Sequence, residues 1–120
     1  MVTMIGGLTT FGVKMAQINN TKKPPQFDGS NYPYWKAKMT TYIKSINRKV
    51  WKVVETKIEI EDPENATAAE EVLLQNNDIA LSAIHDASDE RTFEQIKNIE
   101  MAQEAWKKLE ELFEGTVDGS

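Results

Sequence analysis

At 120 residues with 40% hydrophobic residues, the chain has the size of one core with loose ends, and roughly 90 ordered residues sustain such a core without metal or disulfide help. Cysteine is absent, which excludes disulfide frameworks, thiolate nucleophiles, cysteine-held zinc and iron–sulfur clusters. A formal net charge of −5 and a pI near 4.9 argue against strong nucleic-acid binding by the segment as a whole, because neutralising phosphates takes clustered Lys and Arg.

The longest apolar stretch runs from Met1 to Ile18, but Gly6, Gly7, Thr9, Thr10, Gly12 and Lys14 interrupt it. It is too short and too broken to span a bilayer, and of the features of a signal peptide only a cleavage site near Ala16 can be argued. A cytoplasmic location is expected, with the nucleus as the alternative. The glycines, the polar run Asn19 to Lys23 and the pair Pro24-Pro25 read as a flexible or extended arm over residues 1–26. Met15-Ala16 also allows an internal start.

Folded structure is expected over residues 27–115, opening at Phe27-Asp28-Gly29-Ser30-Asn31-Tyr32-Pro33, where Asp28-Gly29 favours a turn and the proline suits a first helical turn. Trp35, Met39, Tyr42, Ile43 and Ile46 then recur at helical spacing. A second short helix carries Val50, Trp51, Val53 and Val54, although its β-branched content leaves a strand reading open. Residues 56–66, acidic and containing Pro63, read as a loop. Thr67-Ala68-Ala69-Glu70 has capping-box spacing, and a helix of about 18 to 20 residues should follow, with Ala69, Val72, Leu73, Asn76, Ile79, Ala80, Ala83 and Ile84 on its inner face.

Ser88-Asp89-Glu90-Arg91 supplies another cap signal, after which Thr92, Phe93, Ile96 and Ile99 suggest a short helix. The last helix should run from Met101 to Glu114 with Ala102, Ala105, Trp106, Leu109, Leu112 and Phe113 inward, and Gly115 is a natural stop. Residues 116–120 form a flexible tail. The expected architecture is therefore all-α, a compact bundle of about five helices. Its expected core is Trp35, Met39, Tyr42, Trp51, Ile79, Ile84, Phe93, Trp106, Leu109 and Phe113.

Signals for chemistry are sparse. The single histidine, His85, has Asp86 beside it, but a histidine near a helix C-terminus is explained by the macrodipole and the last free carbonyls. A hydrolytic site would also need a nucleophile or a set of metal ligands. The carboxylates at Glu59, Glu61, Asp62 and Glu64 lack the oxygen-ligand pattern of an EF-hand, and Glu110, Glu111 and Glu114 follow Lys107 and Lys108 as a solvated helix face. Gly6-Gly7 and Gly12 lack the spacing and the Lys-Ser/Thr ending of a phosphate loop. No catalytic residue, metal, cofactor or small-molecule substrate is expected.

Charge is nevertheless segregated. Lys22, Lys23, Lys36, Lys38, Lys44, Arg48, Lys49 and Lys52 lie among Tyr34, Trp35, Tyr42 and Trp51. Helical spacing assigns Trp35, Tyr42 and Trp51 to the core, which leaves Lys36, Lys38, Lys44, Arg48 and Lys49 as candidate contacts to RNA or to a protein partner.

Phe27-Asp28-Gly29-Ser30-Asn31-Tyr32 followed by Trp35 and Met39, and then Trp51-Lys52-Val53-Val54, resembles the opening of plant copia-type LTR-retrotransposon Gag polypeptides. In the same order, Asn77 to Ile84, Phe93 and Ile96, Ala102-Gln103-Glu104-Ala105-Trp106-Lys107-Lys108-Leu109 and Phe113-Glu114-Gly115 resemble the same family. The likeness covers about residues 24–115 and rests on order and separation, since each piece alone is a short helical string.

The resemblance implies a capsid-type helical domain that self-associates around RNA, in proteins whose later portions carry a zinc knuckle, protease, integrase and reverse transcriptase. Other copies or longer Gag chains are the expected partners, with RNA contact weak. Two departures stand out. Met101 occupies a position where relatives carry threonine or serine, which weakens the cap of the last helix. The chain also ends soon after Gly115, where the family continues into further helices, which reads as a truncated or domesticated form. In the latter case a host adaptor role, with an unrelated protein as partner, replaces assembly.

Overall fold

The computed structural model describes residues 23–115. Among them are five α-helices: α1 (Tyr32–Ile46), α2 (Arg48–Glu55), α3 (Ala68–Ala87), α4 (Glu90–Ile96) and α5 (Ala102–Glu110). A 3-10 turn at Pro63–Asn65 precedes α3, and a π-helical turn, Glu111–Gly115, continues from α5. The all-α expectation holds. The expected tail at 116–120 and most of the expected arm lie outside the described residues.

The part of that arm that is described is tied down. Phe27 N–H donates to the Ala87 carbonyl at 2.8 Å, and the Gln26 amide donates to the Asp86 carbonyl at 2.9 Å. The Trp35 indole N–H donates to the Pro25 carbonyl at 2.7 Å. The folded unit thus begins before residue 27, because the last turn of α3 offers carbonyls without helical partners and the chain supplies donors.

Entry into α1 is a side-chain-directed turn. Asp28 Oδ1 accepts from the Ser30 amide and hydroxyl at 2.9 and 2.7 Å. Gly29, at φ +94°, occupies the left-handed region where a side chain would be strained. Tyr32, Trp35, Met39 and Ile43 then form the buried stripe of α1. The helix stops at Asn47, whose backbone is extended and whose side chain accepts from Lys49 N–H at 2.7 Å, so one residue closes α1 and caps α2.

Residues 50 to 54 are helical, which resolves the strand alternative. Val50, Val53 and Val54 fall on one face and are buried, and α2 packs against α1, α3 and α5 together. Burial of that face outweighs the modest helix penalty of β-branched residues. The Thr67 capping box is present in both directions, at 2.9 and 3.1 Å. Asp89 caps α4 through Thr92 N–H, and that bonding holds its carboxyl below the ordinary range.

Three sequence expectations need correction. The inner face of α3 is Asn77, Ala80, Ala83, Ile84 and Ala87, while Val72, Leu73 and Ile79 face water. Small side chains let the helix approach its neighbours closely, and that packing decides the rotation. Phe93 is only half-buried, and Thr92 and Ile96 take the inner positions of α4. The regular part of the last helix ends at Glu110, and the next residues widen into the π-turn.

The core joins Phe27, Tyr32, Trp35, Met39, Ile43, the three α2 valines, Ile84, Ile96, Trp106 and Leu109, with Tyr42, Trp51 and Phe113 half-buried against it. Its centre is aromatic. Trp35 and Trp51 contact Trp106 at ring separations of 5.8 and 5.5 Å, and Phe113 lies 4.8 Å from Phe27 and 5.7 Å from Tyr32. These separations fall in the favourable range for aromatic pairs.

Candidate protein-contact surface

Helices α1 and α2 carry Lys36, Lys38, Lys44, Arg48, Lys49 and Lys52 against one carboxylate, Glu55. The helical period that turns Trp35, Met39, Ile43 and the valines inward turns these cations outward, so the basic face follows from the same pattern that makes the core.

The five expected contact residues do not behave alike. Lys36 is engaged within the chain: its ammonium lies 3.0 Å from Glu110 and 2.8 Å from Glu114. Burial acts to lower its pKa, but hydrogen bonds and charge from Glu114 and Glu110 outweigh that and raise it above the ordinary value. It is a clasp between α1 and the end of α5, not a docking cation. Lys38 lies 5.3 Å over the ring of exposed Tyr34, and Lys44 lies 5.7 Å over Trp51. Those are cation–π distances, and they hold the ammonium groups while leaving them charged and wet.

Arg48 and Lys49 are exposed at the start of α2. With Lys44, Trp51, Lys52 and Glu55 they line a cleft of about 390 Å³. Trp51 also borders a second cleft of about 440 Å³, walled by Lys36, Thr40, Trp106, Lys107 and Glu110 among others. Lys38, Lys44, Arg48 and Lys49 form no ion pair among the described residues. Positive charge therefore converges around a half-buried indole.

The opposite sign collects elsewhere. Helix α3 bears Glu70, Glu71, Asp78 and Asp86 with no Lys or Arg, and the preceding loop adds Glu59, Glu61, Asp62 and Glu64. The surface thus has two electrostatic characters on one bundle.

His85 is built as a packing residue. Its ring meets Phe93 edge-on at 5.0 Å, and its Nε2 is buried with no hydrogen-bond partner among the described residues. Burial pushes its pKa down, with Asp86 opposing. The expectation of a histidine charged in favour of the helix dipole gives way to one favoured neutral against an aromatic ring. Tyr32 has a buried hydroxyl without a partner, and burial, reinforced by Glu114 and Glu110, raises its pKa. No group of three or more metal-ligating side chains occurs among the described residues, and no described helix is long and apolar enough to cross a membrane.

Two residues escaped sequence reasoning. Asn77 is buried on α3, where its Oδ1 accepts from Ala102 N–H at 2.7 Å and its Nδ2 donates to the Glu100 carbonyl at 2.9 Å. It supplies from another helix the cap that Met101 lacks. The weak local cap was the only available signal. Asn47 carries the corner between α1 and α2, and a lone Asn between two apolar-periodic runs was its only mark. Compared with known protein families, curated proteins and solved structures, the chain matches none of them.

Proposed function

We propose that the chain is a noncatalytic, capsid-like domain derived from a retrotransposon Gag polypeptide, acting through contacts with further copies of itself or with longer Gag chains in the cytoplasm or nucleus. One observation carries this reading. A single aromatic core, built from the residues on which the resemblance rests, presents a basic face on α1 and α2 and an acidic face on α3 and the loop before it. Unlike patches on one molecule favour head-to-tail pairing between copies and speed their encounter. Light scattering over a concentration series tests this at low and high salt. The average mass should rise with concentration at low salt and fall back towards the monomer as salt screens the faces. A strict monomer at the highest concentration, with no binding to longer Gag chains, would overturn the reading.

A second reading, RNA contact, is favoured by the cations around Trp51, which offer phosphate charge and one stacking surface. It requires affinity that falls steeply with salt and with charge reversal at Lys38 and Lys44. The net acidity of the chain makes it the weaker of the two.

A further inference from the structure

Two acidic elements are available to meet the basic face of a second copy, α3 and the loop before it, and they differ in how their charge is arranged. On α3 the carboxylates are dispersed. Glu70 is engaged in the capping box, where its Oε1 accepts from Thr67 N–H at 2.9 Å. Glu71, Asp78 and Asp86 spread over about 22 Å of helix axis, too far apart to enter one cleft of about 390 Å³ together.

In the loop, four acids fall within six residues, Glu59, Glu61, Asp62 and Glu64, and all four are exposed. The chain leaves α2 extended at Thr56, and Ile58 packs against the core. Exposure then alternates: Ile58 and Ile60 are half-buried, while Lys57, Glu59 and Glu61 face water, the pattern of an extended stretch held to the bundle by one side. The packing that anchors the loop therefore turns Glu59 and Glu61 outward. Asp62 Oδ2 accepts from the Asn65 side chain at 2.9 Å, which fixes the 3-10 turn that presents Glu64. The cleft around Trp51 has the converse make-up, with Lys44, Arg48, Lys49 and Lys52 against Glu55 alone. Among the described residues no ion pair engages these four cations or Glu59, Glu61 and Glu64.

We propose that the loop over residues 59–64 of one copy enters the Trp51 cleft of the next, with Glu59, Glu61 and Glu64 paired to the cations that line it. This rests on the self-association proposed above and names the two halves of the contact. Loop and cleft are different surfaces of one molecule, so the contact is heterologous and repeats along a row of copies or closes a ring.

Sedimentation of the full chain at low salt tests it with three variants, each checked for an unfolding midpoint close to the parent's. Glu59→Lys, Glu61→Lys, Glu64→Lys reverses the loop, and Glu71→Lys, Asp78→Lys, Asp86→Lys reverses α3 by the same net charge. Lys44→Glu, Arg48→Glu, Lys49→Glu reverses the cleft. The average mass of the parent and of the α3 variant should climb with concentration, while the loop variant and the cleft variant each stay at one chain. An equal mixture of the loop and cleft variants should assemble again, because a basic loop then faces an acidic cleft. A loop variant that assembles as the parent does, or a mixture that stays at one chain, would overturn the proposal. Assembly lost on reversing α3 but kept on reversing the loop would leave self-association standing and move the contact to α3. A parent that stays at one chain would overturn both.

Discussion

Helix α5 meets the bundle along two unlike seams. Towards α1 and α2 the contact is aromatic, with Trp106 against Trp35 and Trp51 and with Phe113 just beyond the helix against Phe27 and Tyr32. Towards α3 it is small and polar, with buried Asn77 holding the Ala102 amide and the Glu100 carbonyl. The aromatic seam draws its strength from area removed from water, which is non-directional. The polar seam contributes less energy but fixes the start of α5, since the two bonds form in only one position. One seam stabilises the bundle, and the other sets its register.

Breaking the aromatic seam should have the largest effect. Trp106→Ala is expected to cost about 3 to 5 kcal/mol, read as a lowered midpoint in chemical or thermal unfolding. An unchanged melt would contradict the aromatic interior. Asn77→Ala should cost less, about 2 to 3 kcal/mol, because it orphans a buried amide and a carbonyl rather than removing a large apolar surface. Its distinguishing mark is local: hydrogen exchange at the first amides of α5 should quicken more than exchange in α1. Uniform quickening would show that Asn77 acts as generic packing.

Lys36→Ala sharpens the aromatic side, since the clasp to Glu110 and Glu114 spans the same elements. Both partners are partly exposed, so solvent screening limits the loss to about 1 kcal/mol or less, and it should shrink further in high salt. His85 tests a place outside both seams. A histidine whose folded pKa is depressed takes up its proton more readily in the unfolded chain, so stability is full at higher pH and declines as pH falls through the ordinary imidazole range near about 6.5. Thermal melts between pH 7.5 and 5.5 should show that slope, and His85→Gln should flatten it.

The same comparison explains what could be read from the sequence. Trp35, Met39, Trp106 and Leu109 declared themselves by helical spacing, because large side chains at that period have one place to go. Local devices were equally plain: the Thr67 capping box needs only two residues three apart. Residues that act across the fold were not legible. Asn77 and Ala102 are 25 residues apart, and a polar side chain on an amphipathic helix reads as solvated until its partner is known. The inner face of α3 was legible only in part for a related reason. Helical spacing placed Val72, Leu73 and Ile79 on the inner face together with Ala80, Ala83 and Ile84; the alanines and Ile84 are buried there with Asn77 and Ala87, while the three larger aliphatic residues are exposed. On the surface, sequence located the cations but could not separate Lys36, which pairs at home, from Lys44, Arg48 and Lys49.

That separation makes the sharpest test of the contact surface possible. The triple substitution Lys44→Glu, Arg48→Glu, Lys49→Glu leaves the buried side chains and every ion pair found among the described residues in place; acids at the start of α2 suit its dipole, which offsets the loss of the Lys44–Trp51 cation–π contact and an acid in the last turn of α1. The substituted chain should therefore stay folded and melt close to the parent. In sedimentation at low salt, the parent's average mass should climb with concentration while the variant stays at one chain. Superimposable mass curves for the two would contradict a self-associating, charge-paired domain.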